Sequence, residues 1–158
     1  MSTWGVTVPH HSEVVLSDGR TVIGDIHLQP SAIAYSGPES PGDLFNRRDP
    51  FFAMTVEGGG ALLVAKAQVL FAKVQPLAAS EPLALGDAAE VSSTHRELTL
   101  EVTFDTGSTF VGTLSAELSP ERSRAIDFLN GAPRFFALRS GENVVLINTH
   151  RIATVRPP

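Results

Sequence analysis

Five histidines, two Asp-x-x-Asn pairs and a scatter of arginines are the side chains of this 158-residue chain suited to holding a metal, moving a proton or gripping an anion. His10, His11, His27, His95 and His150 contain no i,i+4 pair and no His-Glu-x-x-His arrangement, so no metal site is written into their spacing. They read as exposed or hydrogen-bonded histidines, and no metal or cofactor is expected. Asp43 with Asn46, and Asp127 with Asn130, are i,i+3 partners on one face of a short helix. As caps, the Asp satisfies free amides at the helix start and the Asn favours a left-handed stop. As a site, two such carboxylates would hold a cation or a partner's basic residue, and capping is the favoured reading. Arg47-Arg48 and the group Arg122, Arg124, Arg134 and Arg139 are the local concentrations of positive charge. Arg122 and Arg124 stand two apart, so on a helix they point in different directions, as on a solvated, salt-bridged surface. Glu57-Gly58-Gly59-Gly60 lacks the Lys-Ser/Thr ending of a phosphate loop and reads as a hairpin turn. No Gly-x-Ser-x-Gly elbow places a serine nucleophile, and no catalytic residue is assigned.

The elements that must position these residues occur twice. Glu13 to Pro76 and Glu97 to Pro157 carry the same landmarks in the same order. A turn at Asp18-Gly19 answers one at Thr106-Gly107, and Gly24 answers Gly112. Asp43 to Asn46 is echoed by Asp127 to Asn130, Phe51-Phe52 by Phe135-Phe136, and Pro76 by Pro157. The offsets fall from 88 to 84 to 81 residues, as loop deletions between packed elements would produce. The expected organisation is a first β-domain over 1–76, an Ala/Ser/Pro-rich linker over 77–96 and a second β-domain over 97–158.

Within each copy the signals are of strand type. Glu13 to Leu16 and Thr21 to Leu28 flank Asp-Gly, a strong hairpin signal because Gly takes positive φ at little steric cost. Leu98 to Phe104 and Ser108 to Leu114 flank Asp105-Thr106-Gly107, where the extra residue predicts a longer or bulged turn. Gly24 and Gly112 sit mid-strand, at bends or close backbone contacts. Ser119-Pro120 has the form of an N-cap followed by Pro at the first helical position, predicting an amphipathic helix of about ten residues that stops at Gly131. Ser40-Pro41-Gly42 predicts a shorter one. Phe51 to Val56, Ala61 to Ala65 and Val69 to Val74 then close the first copy. Phe135 to Leu138, Val144 to Ile147 and Ile152 to Val155 close the second. The order β-β-α-β-β-β predicts a mainly β fold with short helices, built as tandem small, partly open barrels of the SH3-like or Sm-like kind.

Composition narrows the function classes. A formal net charge of -5, with 12 Lys/Arg against 17 Asp/Glu and no basic segment, weighs against broad nucleic-acid backbone binding. The absence of cysteine excludes thiol nucleophiles, Cys-ligated zinc and iron–sulfur clusters. The N-terminus MSTWGVTVPHHSEVV lacks the form of a secretory signal, and no apolar run approaches the roughly 20 residues of a membrane helix. A cytoplasmic, soluble protein is the expectation. Each copy of about sixty residues is near the lower limit for a self-supporting core, so the copies are expected to pack together.

The string VVLSDGRTVIGDI resembles the opening hairpin of Sm-like domains, and GENVVLINTHRIATV resembles their closing strands. Here the helix follows the second strand rather than preceding the first, and the Asp and Asn of an Sm nucleotide pocket are absent from the end of that strand. Asp43-Leu44-Phe45-Asn46, Asp127-Phe128-Leu129-Asn130 and, in part, Ile147-Asn148-Thr149-His150 resemble motifs of small uncharacterised bacterial β-domains. Val64-Ala65-Lys66 departs from the last of these by losing the Asn. That resemblance implies a fold and no activity.

Adjacent phenylalanines on a strand point to opposite faces. One of each pair enters the core and the other needs a cover; Phe52 and Phe136 join Asp43, Asn46, Asp127, Asn130, Arg122 and Arg124 as the candidate interaction residues. A non-enzymatic binding or assembly module is therefore the leading expectation, with a protein partner or a homo-oligomer, in the simplest case a dimer. The alternatives are a nucleic-acid or nucleotide binder of Sm-like type and a small metal-dependent hydrolase.

Overall fold

Alternating apolar and polar side chains, punctuated by positive-φ glycines, make most of the regular structure among the described residues strand. The computed structural model describes residues 7–30, 39–75, 95–117 and 124–158. The first half runs β1 (Val8–Leu16), β2 (Thr21–Leu28), α1 (Pro41–Asn46), β3 (Phe51–Val56), β4 (Ala61–Ala65), a 3-10 turn at Lys66–Gln68, and β5 (Val69–Val74). The second runs β6 (His95–Phe104), β7 (Thr109–Glu117), α2 (Ala125–Asn130), β8 (Phe135–Ser140), β9 (Asn143–Asn148), a 3-10 turn at Thr149–Arg151, and β10 (Ile152–Arg156). All ten strands join one open antiparallel sheet in the order β10-β6-β7-β8-β9-β5-β1-β2-β3-β4. The halves meet where β5 bonds to β9, with Phe71 opposite Ile147 and Ala72 opposite Leu146.

The two halves share strand order and register. Val14 lies opposite Ala72 as Val102 lies opposite Val155, and each pairing slips by one residue just beyond, at Leu16 and at Ile152. The first turns are also alike, contrary to the longer second turn expected. Leu16 bonds to Arg20 and Phe104 to Ser108 across three residues, with Gly19 (φ 94°) and Gly107 (φ 93°) in the same third place. The left-handed position decides the loop, and both sequences supply Gly there. Strand β1 begins at Val8, so His10 and His11 lie in a strand rather than a loose terminus; His10 Nε2 is 2.8 Å from the Gln75 carbonyl oxygen. Strand β6 begins at His95, two residues inside the expected linker, whose residues 77–94 lie outside the described ones.

Both helices are six residues long, so α2 is shorter than expected. It starts after Arg124, and Ser119-Pro120 lies outside the described residues. Helix α1 has the full capping box: Ser40 Oγ accepts from the Asp43 N–H at 3.1 Å, and Asp43 Oδ2 accepts from the Ser40 N–H at 2.9 Å.

Two apolar cores form, on opposite faces of the sheet. The first gathers Val14, Ile26, Leu28, Leu44, Phe45, Phe52, Met54 and Val64, together with Phe135 and Leu146 from the second half. The second gathers Leu100, Val102, Phe104, Leu114, Phe136, Leu138, Val145 and Ile147, together with Leu70 from the first half. Alternation along β9 explains the split, since Leu146 faces one core while Val145 and Ile147 face the other. A strand buried on both faces reads as the unbroken apolar run Val144-Val145-Leu146-Ile147.

Gly24 marks a close backbone approach between β2 and β3. A Cβ there would overlap the Thr55 carbonyl oxygen, whereas at Gly112 it would lie 2.9 Å from Leu138 Cβ and 3.0 Å from the Phe110 ring. The overlap at Gly24 is far deeper than at Gly112, where Leu138 Cβ, the Phe110 ring and the Arg139 carbonyl oxygen at 3.2 Å need give only a few tenths of an ångström. Gly24→Ala should therefore destabilise by about 3 kcal/mol and Gly112→Ala by about 1 kcal/mol. Urea unfolding of the two variants should rank them in that order.

Candidate interaction surface

The seam between the halves is held by polar groups as well as apolar ones. Asn46, at the end of α1, reaches across it: Nδ2 donates to the Phe135 carbonyl oxygen at 2.9 Å, and Oδ1 accepts from the Phe135 N–H at 2.8 Å. The Phe135 ring sits edge-on to Phe45, with centroids 5.1 Å apart. Buried Asn148 donates from Nδ2 to the carbonyl oxygens of Val69 at 2.9 Å and Lys66 at 3.3 Å. Asn46 is therefore a clamp between the halves and not a left-handed stop. The helix ends at Arg47 in extended backbone (φ -67°).

Lys66 lies beneath α1, 1% exposed. Its Nζ donates to the Leu44 carbonyl oxygen at 2.9 Å and that of Arg47 at 3.0 Å. These are carbonyls that the end of a helix leaves without intrahelical partners. Loss of hydration, then the neighbouring Arg47 guanidinium, lowers the Lys66 pKa from 10.5 to about 8.

The other expected site residues are placed one by one. Asp43 is the capping-box residue of α1. Asp127 is engaged by Arg124, whose Nε lies 3.2 Å from Oδ2. Asn130 is exposed at the end of α2. Arg122 lies outside the described residues. Phe52 and Phe136 are 5% and 3% exposed, one in each core, and are not the bare rings. Pairing with Val64 and Ile147 turns them inward, because those partners face the cores. Among the other arginines, Arg47 sits 3.4 Å from buried Glu39 and Arg134 lies over the Phe135 ring. His27 is held between Thr7 and Thr55, and no group of three potential metal ligands occurs among the described residues.

Among the described residues the bare aromatic is Phe51, 55% exposed, on the outer face of the β3–β4 hairpin. Leu63, 68% exposed, shares that face two residues along the ladder, with Ala53 directly opposite it. Leu62, on the opposite face at the end of the sheet, is 37% exposed. A cavity of about 570 Å³ opens beside the patch, lined in part by His27, Leu44, Arg47, Phe51 and Leu63. Its guanidinium already faces Glu39, so the surface suits an apolar side chain better than a charged ligand. The adjacent phenylalanines could have revealed the patch to sequence reasoning; the side of the strand that stays bare could not. No helix among the described residues is long and apolar enough to cross a membrane. Comparison with protein-family models, curated proteins and solved structures finds no match to this chain.

Two outcomes are expected. Asn46→Ala should destabilise by about 1–2 kcal/mol in urea unfolding, since two strand groups lose their partner in a place water can reach. Lys66 sets a pH dependence. Between about pH 8 and 10.5 the unfolded chain keeps a proton that the folded protein has released, so stability should climb with pH across that window. Lys66→Met should remove that climb in denaturant titrations made at either side of the window.

Proposed function

We propose that this protein is a non-enzymatic assembly module, two copies of one five-strand unit forming a scaffold that binds protein through the outer face of its β3–β4 hairpin. The observation that carries the reading is the contiguous Phe51, Ala53 and Leu63 surface on a hairpin at the end of the sheet, with Phe51 and Leu63 both more than half exposed. Apolar surface at an unpaired strand edge is what a partner strand or helix covers, gaining backbone hydrogen bonds and apolar burial together.

Supporting the duplicated unit are the matching strand order, register slip and Gly-closed first turn of the two halves. In this reading each half is a small, partly open SH3-like or Sm-like barrel whose missing wall comes from a neighbour. The nucleic-acid alternative is disfavoured by the net charge of -5 and by the carboxylates facing Arg47, Arg124, Arg151 and Arg156.

The double variant Phe51→Ser, Leu63→Glu tests the proposal. Both residues are largely exposed, so folding stability should change by no more than about 1 kcal/mol. Association, whether with itself by sedimentation or with a protein captured by the wild type, should be lost. Unchanged association in the folded double variant would sink the proposal.

A further inference from the structure

We infer that the occupant of the β3–β4 hairpin is a second copy of this chain, docked head-to-tail on β10 and α2, so that the seam between the halves is repeated between molecules. This rests on the assembly reading above and names its partner.

The seam inside the chain joins the fifth strand of one half to the fourth strand of the other, β5 to β9. The strands left at the two ends of the sheet are the fourth of the first half, β4, and the fifth of the second, β10. Among the described residues each is paired on one side only. The chain therefore presents both sides of its own seam, one at each end.

Register carries the equivalence to residues. Phe51 occupies the place of Phe135, and Leu63 that of Leu146, each leucine opposite an alanine. Within the chain Phe135 is 1% exposed and Leu146 4%, covered by the first core; at the end of the sheet Phe51 is 55% exposed and Leu63 68%. Leu62 is 37% exposed where Val145 is fully buried. What the internal seam buries, the free hairpin leaves bare. The receiving side is bare in the same way. Phe45 is fully buried against Phe135, whereas its counterpart Leu129 on α2 is half-buried. Asn46 clamps Phe135, and Asn130 holds the equivalent place at the end of α2.

The intermolecular register follows from the internal one: Thr154 opposite Val64, Val155 opposite Leu63 and Arg156 opposite Leu62. Leu63 of one copy enters the second core of the next, Phe51 packs on Leu129, and Asn130 clamps the Phe51 backbone. Two substitutions make this seam weaker than the internal one. Ala65 replaces the Asn148 clamp, and Pro157, which the strand register sets in the place of Val74 and not of Pro76 as expected, brings no N–H. The result is reversible association across two unlike surfaces, which extends until it closes a ring or runs on as a filament.

Complementary edge variants test it. Leu63→Glu spoils the hairpin and leaves β10 and α2 intact, whereas Thr154→Glu, at an exposed position, spoils β10 and leaves the hairpin intact. In sedimentation velocity and native mass spectrometry the full-length wild type should form oligomers that dissociate on dilution. Each variant alone should be monomeric, and an equimolar mixture of the two should yield a heterodimer and nothing larger. A wild type that stays monomeric at every concentration, or a mixture that stays monomeric, overturns the inference. The assembly reading survives that failure if Leu63→Glu still abolishes capture of a different protein, and falls with it if capture is unaffected.

Discussion

The pairing of β5 with β9 is the contact on which the rest of this structure depends. Half of this chain is close to the lower limit for a self-supporting core, and it has neither a disulfide nor Cys-ligated metal to make up the difference. The deficit is met by exchange. Phe135 and Leu146 complete the first core, and Leu70 with Phe71 packs into the second. Because opposite faces of one sheet carry the two cores, a single strand pair serves both at once. Asn46, Asn148 and Lys66 then satisfy the backbone groups that the seam and the end of α1 would otherwise bury without partners.

A seam between unlike strands leaves unlike ends. A twofold arrangement would have joined like to like and left two identical edges, whereas here the leftover strands are a fourth and a fifth. Edge strands invite uncontrolled pairing, and these are kept to five residues each, with Pro157-Pro158 following β10. Short edges limit indiscriminate addition.

Much of the strand pattern was legible in the sequence. Thr21–Leu28, Phe51–Val56, Ala61–Ala65 and Val69–Val74 have the boundaries their composition predicts, because turns at Gly and a period of two are local properties. The candidate site was legible only in part. Adjacent phenylalanines announce that one ring needs a cover, but which one depends on the register against the next strand, and a shift of one residue inverts it. Phe51 is the bare ring in the first half and Phe52 the buried one; in the second half both rings are buried because the seam covers the other face. Asn46 carried no signal of its role, since its partner lies 89 residues away.

The sequence by itself determined a cysteine-free, mainly β chain with short helices and landmarks that occur twice, since composition, turn chemistry and alternation act over a few neighbouring residues. Only the tertiary structure decided that β5 finds β9, that two cores occupy opposite faces of one sheet, and that the hairpin at one end is left bare. Those outcomes depend on pairings between residues far apart in the chain. Such pairings are settled by which apolar surfaces can be buried together, a property of the assembled sheet that no local stretch of sequence contains.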